Sequence, residues 1–211
     1  MEGRLPGCGL PGHLRKNECG VNLNNLNNLT NHQLTKMASV FGHIAVSTAI
    51  GYAFFPKQVR PLTLIVAGFC AFAPDLDVLS FHFGIPYSSE WGHRGWTHSL
   101  LFALVIGSLI GLLFVRQPAW KSITAWFVLS MASHPLLDML TNGGRGCALW
   151  WPFSSARIFF PFRPVQVSPL SVEDFFSPWG LEVLASEVLW IGFPCVGLVW
   201  AAKIYRGQSL A

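Results

Sequence analysis

Between residues 37 and 206 the chain alternates apolar runs with short polar clusters, and the runs predict a set of helices. The first extends from about Val40 to Phe55 and is ended by Pro56-Lys57. The second extends from about Leu62 to Ala73 and stops at Pro74. The third spans about Leu100 to Val115, closed by Arg116-Gln117-Pro118. A fourth covers about Ile123 to Leu140, and a fifth about Leu184 to Ala202, before Lys203. Crossing a bilayer takes about 20 apolar residues. The second run is short on that measure, which leaves it tilted, extended by polar residues, or buried among its neighbours.

The polar clusters fall at the ends of these runs. They are Gly42-His43, Pro74-Asp75-Leu76-Asp77, His93-Arg94-Gly95-Trp96-Thr97-His98-Ser99 and Ser133-His134-Pro135-Leu136-Leu137-Asp138. If the first run enters at His43, simple alternation puts Lys57 and Arg60 on the far side and returns the second run at Asp75 and Asp77. The third run leaves at His98 towards Arg116 and Lys121, the fourth returns at Asp138, and the fifth ends at Lys203 and Arg206. All four clusters then share one face. The near-side loops carry Arg94, Arg145, Arg157 and Arg163, fewer basic residues than the far-side turns. Because basic residues mark the cytoplasmic side, the clusters are expected to face outward, towards the periplasm if this is a bacterial inner-membrane protein.

Composition strengthens the membrane reading. Only 11% of residues are charged and 52% are hydrophobic, with a mean hydropathy of +0.44, against about 25% charged in soluble domains. The fold class expected is all-α, a multi-helix integral membrane bundle. A net charge of +4 without a basic run gives no sign of a nucleic-acid partner, while a membrane lipid is a natural one. The five cysteines lack metal-knuckle spacing and suggest no disulfide framework. Cys70 and Cys195 lie inside apolar runs, as buried small hydrophobes do. Residues 1–36 are rich in Gly and Pro and then pass into an Asn-Leu tract without the apolar core of a signal peptide. They read as a disordered or mis-assigned N-terminal extension before one membrane-embedded domain over 37–206. Oligomeric state is not legible.

His and Asp are the residues that hold catalytic divalent metals. His134 and Asp138 are four apart, which stacks them on one helix face where both can reach one ion. The bland alternative is a helix-end histidine paired with a carboxylate. Asp75 and Asp77 are too close to stay charged together in a dry setting without a cation; otherwise they form a solvated turn. His93 and His98 straddle Gly95 before the third run, with Thr97 placed to cap the helix and His98 in its first turn. Arg94 offers a fork of donors suited to phosphate or carboxylate, although an interfacial turn with Trp96 in an aromatic belt is the competing account. His43 is a weak candidate by itself, and His82 reads as structural. In the long near-side loop, roughly residues 141–180, Arg157 and Arg163 lie among aromatic residues. They could hold an anionic headgroup, or the loop could simply lie at the interface. Glu187 is an isolated intramembrane acid that could face the site.

Together these clusters resemble the YdjM-type family of membrane-bound metal-dependent hydrolases, often described as LexA-regulated. The resemblance begins at Met37-Ala38-Ser39-Val40-Phe41-Gly42-His43. It continues through Pro74 to Asp77, Phe83-Gly84-Ile85-Pro86-Tyr87, Gly92 to Ser99 and Ser133 to Asp138. The stretches Trp151-Pro152-Phe153-Ser154, Arg157 to Pro164 and Val167-Ser168-Pro169, with Glu187, Leu189-Trp190 and Pro194, resemble one branch of it. Arg145 and Gly146-Cys147 depart from the smaller apolar residues expected there.

The resemblance implies a helical fold distantly like zinc-dependent phospholipase C. It also implies a metal set of His43, Asp75, Asp77, His98, His134 and Asp138, with His93 as a further member. The function expected is hydrolysis of an ester or phosphoester, lipid-like in kind, by water activated on one or two zinc-like ions. Asp75 or Asp77 would act as base and Arg94 or Arg163 would offset developing charge. The competing expectation is a non-enzymatic membrane protein with a structural or regulatory metal. A transporter fits less well, because the clusters sit at helix ends.

Overall fold

The computed structural model describes residues 36–37, 39–169 and 177–207. The disorder expected of residues 1–36 lies outside these, except that Lys36 opens a two-residue strand. That strand, β1 (Lys36–Met37), pairs antiparallel with β2 (Ser168–Pro169). Two isolated bridges apart, the remaining regular structure described is helical.

Helix α1 (Val40–Phe54) starts at Ser39, whose hydroxyl accepts from the Gly42 N–H. Helix α2 (Pro61–Phe72) does not stop at Pro74. It tightens into a 3-10 helix over Ala73–Phe83, in which Pro74 occupies the first turn, where its missing N–H leaves nothing unsatisfied. The run that looked short in sequence is therefore a 23-residue helical stretch. A short 3-10 turn, Trp96–His98, precedes α3 (Leu100–Leu112). Ser99, not Thr97, caps α3, accepting from the Phe102 N–H at 3.0 Å, and His98 sits before the helix rather than in its first turn. Helix α4 (Trp120–Met139) runs through Pro135. After the long loop, α5 (Pro178–Glu187), a π-helical turn (Val188–Gly192) and α6 (Phe193–Tyr205) form one stretch of 28 residues.

Helix α4 is the axis of the bundle. It buries Trp126, Phe127, Ser130, Met131 and His134 against α1, α2 and α3, while α6 packs on the outer side of α1. Away from the aromatic cluster around Trp126 and Phe127, small residues face inward and many large apolar ones face outward. Ala49, Ala53, Ala67, Ala71 and Ala103 are buried, whereas Phe54, Ile65 and Leu113 are 61, 70 and 81% exposed. Small residues let membrane helices approach, and large apolar ones suit contact with lipid chains. The two long helical stretches are mostly unburied along their apolar lengths, 33% and 17% of the relevant windows lying inside the protein, which argues against soluble core helices. Between helices, Ser47 meets Ser130 at 2.8 Å, and the Trp126 indole donates to the Ser47 carbonyl at 2.9 Å.

Gly107 and Gly111 form a Gly-x-x-x-Gly face on α3 that the sequence reading passed over. A Cβ at Gly107 would lie 2.8 Å from the Val128 Cα, and one at Gly111 2.2 Å from the Thr124 hydroxyl. The α3–α4 contact leaves no room for either. Gly111→Leu is expected to destabilise the bundle by about 1–3 kcal/mol or to separate the pair. Thermal unfolding in detergent reads this directly, and an unchanged midpoint would show that the helices are not so close.

Candidate metal centre

Four elements bring the sequence clusters to one end of the bundle. α1 supplies His43, the 3-10 extension of α2 supplies Asp75 and Asp77, the turn before α3 supplies His93, Arg94 and His98, and α4 supplies His134 and Asp138. His43, His98, His134 and Asp138 are fully buried, and Asp75 is 6% exposed.

Asp75, His98, His134 and Asp138 point one donor atom each at a common centre, all within 4.8 Å of one another. The Nε2 atoms of His98 and His134 are 3.0 Å apart. His98 Nε2 lies 3.5 Å from Asp75 Oδ1 and 3.3 Å from Asp138 Oδ2; His134 Nε2 lies 3.3 and 3.8 Å from the same two oxygens. A tetrahedral zinc with bonds of about 2.0–2.1 Å spaces its donors about 3.3–3.4 Å apart. The donor set fits such an ion in spacing and in chemistry, imidazole with carboxylate.

The outer faces of the histidines set which nitrogen is available. His134 Nδ1 lies 2.7 Å from the Ala71 carbonyl, so it carries the proton and leaves a lone pair on Nε2. His98 Nδ1 faces Asp77 Oδ2 at 3.2 Å, an arrangement that likewise turns Nε2 inward. Two lone pairs facing each other at 3.0 Å repel unless a proton or cation joins them. A proton would not be enough. Both oxygens of Asp75 and of Asp138, and both nitrogens of His43, lack a hydrogen-bond partner in the protein. Three buried carboxylates, Asp75, Asp77 and Asp138, outnumber the guanidinium of Arg94 even when His98 carries a proton, which leaves negative charge for a cation to balance. This group can hold a divalent metal.

Asp77 takes a different place. Its oxygens receive His93 Nδ1 at 2.6 Å, the Arg94 N–H at 3.1 Å and the Thr97 hydroxyl, besides facing His98. It also forms a second possible donor group with His93 and His98. His93 keeps its Nε2 buried without a partner. His43 stacks on His134 at 3.9 Å between ring centroids, and its Nε2 is 3.7 Å from Asp138 Oδ1. It adjoins the four-donor set without belonging to it.

Arg94 is buried inside the site, not presented at its mouth. Its Nε is 3.0 Å from Asp138 Oδ2, and Nη1 donates to the Gly143 carbonyl at 3.1 Å. Burial is the largest single influence and works against its charge, but Asp138, with smaller contributions from Asp75 and other neighbours, outweighs it and raises the guanidinium pKa above its ordinary value. Burial likewise opposes charge on His98, and Asp77 and the other carboxylates outweigh it, raising that pKa. The Arg94 backbone has φ 60°, a left-handed conformation costing on the order of 1–3 kcal/mol in a non-glycine residue. Hydrogen bonds from its own N–H to Asp77 and from Ala148 N–H to its carbonyl hold it there. Gly144, at φ 82°, gives the guanidinium space, since a Cβ would lie 2.7 Å from Nη1.

The loop residues are arranged around this centre. Arg157 donates to the carbonyls of His93, Tyr87 and Ser89 at 2.7, 2.9 and 2.9 Å, tying the His93–His98 turn in place. Arg163 is exposed, 4.7 Å above the Phe159 ring. Glu187 is buried and accepts from both the N–H and the hydroxyl of Ser39, at the entry of α1. His82 is exposed at the end of the 3-10 extension. Cys147 is fully enclosed, and burial pushes its thiol up to about 12. Sequence reasoning assigned no role to Tyr87 or Ser39. Tyr87 packs edge-on against His93 at 5.2 Å, and its only signal was its place in the Phe83–Tyr87 stretch.

The comparisons agree with this membrane bundle. Over 169 residues the chain is 38% identical to the inner membrane protein YbcI of Escherichia coli K12, covering 78% of this chain and 98% of that protein. It is 31% identical over 136 residues to the uncharacterized protein YvsG of Bacillus subtilis 168, covering 61% and 79% respectively. No solved structure matches it. Residues 37–210 match the family model described as YdjM inner membrane protein, and the chain belongs to that family.

Proposed function

We propose that this protein is a membrane-embedded hydrolase that uses a divalent metal, zinc by its donor chemistry, to cleave an ester or phosphoester of a lipid-like substrate. The observation that carries the reading is a surplus of donors. Four protein ligands would close a purely structural tetrahedral site. Here an additional imidazole, His43, and the second carboxylate oxygens of Asp75 and Asp138 stand buried beside them without hydrogen-bond partners. When bound, the metal lowers the pKa of water towards neutrality and polarises the ester oxygen.

The protein's own groups divide the remaining work. Asp77 is occupied by His93, Thr97 and the Arg94 backbone, and it orients His98. Asp75 Oδ2 has no such partner, which makes Asp75 the better proton acceptor of the two. Arg94 holds the Asp138 carboxylate in place, and the exposed Arg163 remains for an anionic headgroup. Exposed Trp91, Trp150, Phe153 and Phe162 on the loops around the site suit an interfacial, lipid-like substrate. The near-side arginines Arg94 and Arg157 are spent on internal partners, so, Arg145 and Arg163 apart, the unspent basic residues lie at the opposite end. That distribution supports an orientation with the metal end outward, towards the periplasm.

Burial of the four donors favours a second reading, a structural metal that staples the bundle. Stripping the detergent-purified protein with a chelator and restoring zinc separates the two. The hydrolase reading expects turnover of a generic phosphodiester or a matched carboxylic ester to vanish and return with the metal. A metal that only raises the unfolding temperature, without turnover of either ester, supports the structural reading instead.

A further inference from the structure

The end of the bundle opposite the metal centre is built from the α1–α2 turn, the α3–α4 turn and the end of α6. Residues 55–60, 113–119 and 206–207 there contain no Asp or Glu. A recess of about 280 Å³ opens at this end, lined by Lys57, Gln58, Arg60, Arg116 and Gln117 among others. Two short turns thus bring three cations around one hollow, and no carboxylate among the described residues pairs with them. Gathered at an exposed surface, these like charges make a favourable place for an anion. Arg206 contrasts with them, since its guanidinium donates to the Ala53 and Tyr52 carbonyls at 2.6 and 3.2 Å.

A second recess, of about 610 Å³, shares Lys57 and Gln58 with the first. Its other walls are mainly apolar, including Phe54 from α1 and Leu198, Ala201 and Tyr205 from α6. A hollow rimmed by cations and an apolar groove therefore meet at one turn, at the level where the helices end and headgroups lie. Free phosphate would use the first recess only. A phospholipid would fill both.

We propose that this end of the protein holds an anionic phospholipid. Its phosphate sits between Lys57, Arg60 and Arg116, and an acyl chain lies in the groove between α1 and α6. Arginine forks suit phosphate oxygens, and Gln58 and Gln117 add neutral donors to the same wall. The site is separate from the metal centre and stands whether or not the protein is a hydrolase.

Native mass spectrometry of the full chain in mild detergent tests this. Phosphatidylglycerol and phosphatidylethanolamine of matched acyl chains are added in competition, with bound metal recorded as the sign of an intact fold. Wild type is expected to retain the anionic lipid preferentially. Arg60→Gln with Arg116→Gln is expected to cut that preference about 25-fold, at about fivefold per cation removed, with metal unchanged. Should the double variant lose its metal, Lys57→Gln, at an exposed side chain, is expected to show the smaller loss of preference alone. Equal retention of both lipids by wild type, or full preference in metal-replete variants, overturns the proposal. A further arm offers inorganic phosphate and glycerophosphate. Displacement of the lipid by either at equal concentration would overturn the acyl-groove part and leave a free-anion site.

Discussion

His98→Ala is expected to abolish metal binding at the candidate centre and, on the hydrolase reading, turnover with it. His98 Nε2 lies within 3.5 Å of three donor atoms of the candidate centre, one each from Asp75, His134 and Asp138, so its loss removes a corner shared by the whole set. Removal of residues that merely support a ligand typically costs about 10–100-fold in affinity or activity. Loss of the ligand itself should exceed the upper end of that range. Asp77→Asn provides the internal contrast. It weakens the hold on His98 Nδ1 while sparing the four donors, so an intermediate loss within that range is expected. Metal analysis and phosphodiester turnover on the two variants decide the matter. Metal retained at wild-type stoichiometry in His98→Ala would remove His98 from the ligand set.

Arg94→Met is the second large effect, and it acts on stability. Arg94 and Asp138 are both fully buried, with the guanidinium 3.0 Å from the carboxylate. Removing one partner of a buried pair commonly costs about 3–5 kcal/mol, because the other charge is left without compensation. The loss is expected to be greater in chelated protein, since a bound cation also neutralises Asp138. Unfolding in detergent with and without zinc measures both quantities. A chelated variant as stable as wild type would mean that Asp138 is not charged in the metal-free protein.

Helices and their polar ends were readable because lipid imposes long apolar runs and makes each ionisable residue conspicuous. Thus α1, α3 and α4 fall close to the expected bounds, and the polar clusters converge at one end. Where expectation and structure part, the deciding interactions lie outside any local pattern. Pro74 resembles a terminator, but in the first turn of a 3-10 extension it terminates nothing. Thr97 has the chemistry of a cap, but Asp77, twenty residues away in sequence, claims its hydroxyl. Arg94 looked suited to an external anion, and the structure encloses it against Asp138. The inward Nε2 of His134 depends on a carbonyl sixty-three residues distant, at Ala71, which no motif could reveal. Gly107 and Gly111 were missed because their meaning lies in what Val128 and Thr124 need across the contact.

Because the four donors come from three separate elements, with His43 from a fourth, the centre has a consequence for biogenesis. A nascent chain emerging in order has the carboxylate of Asp75 first, His98 after a further stretch, and His134 and Asp138 only once α4 has been inserted. No partial assembly offers the full coordination sphere. On the metal reading, loading would therefore follow insertion of the fourth helix, as a step separate from the threading of the chain into the membrane.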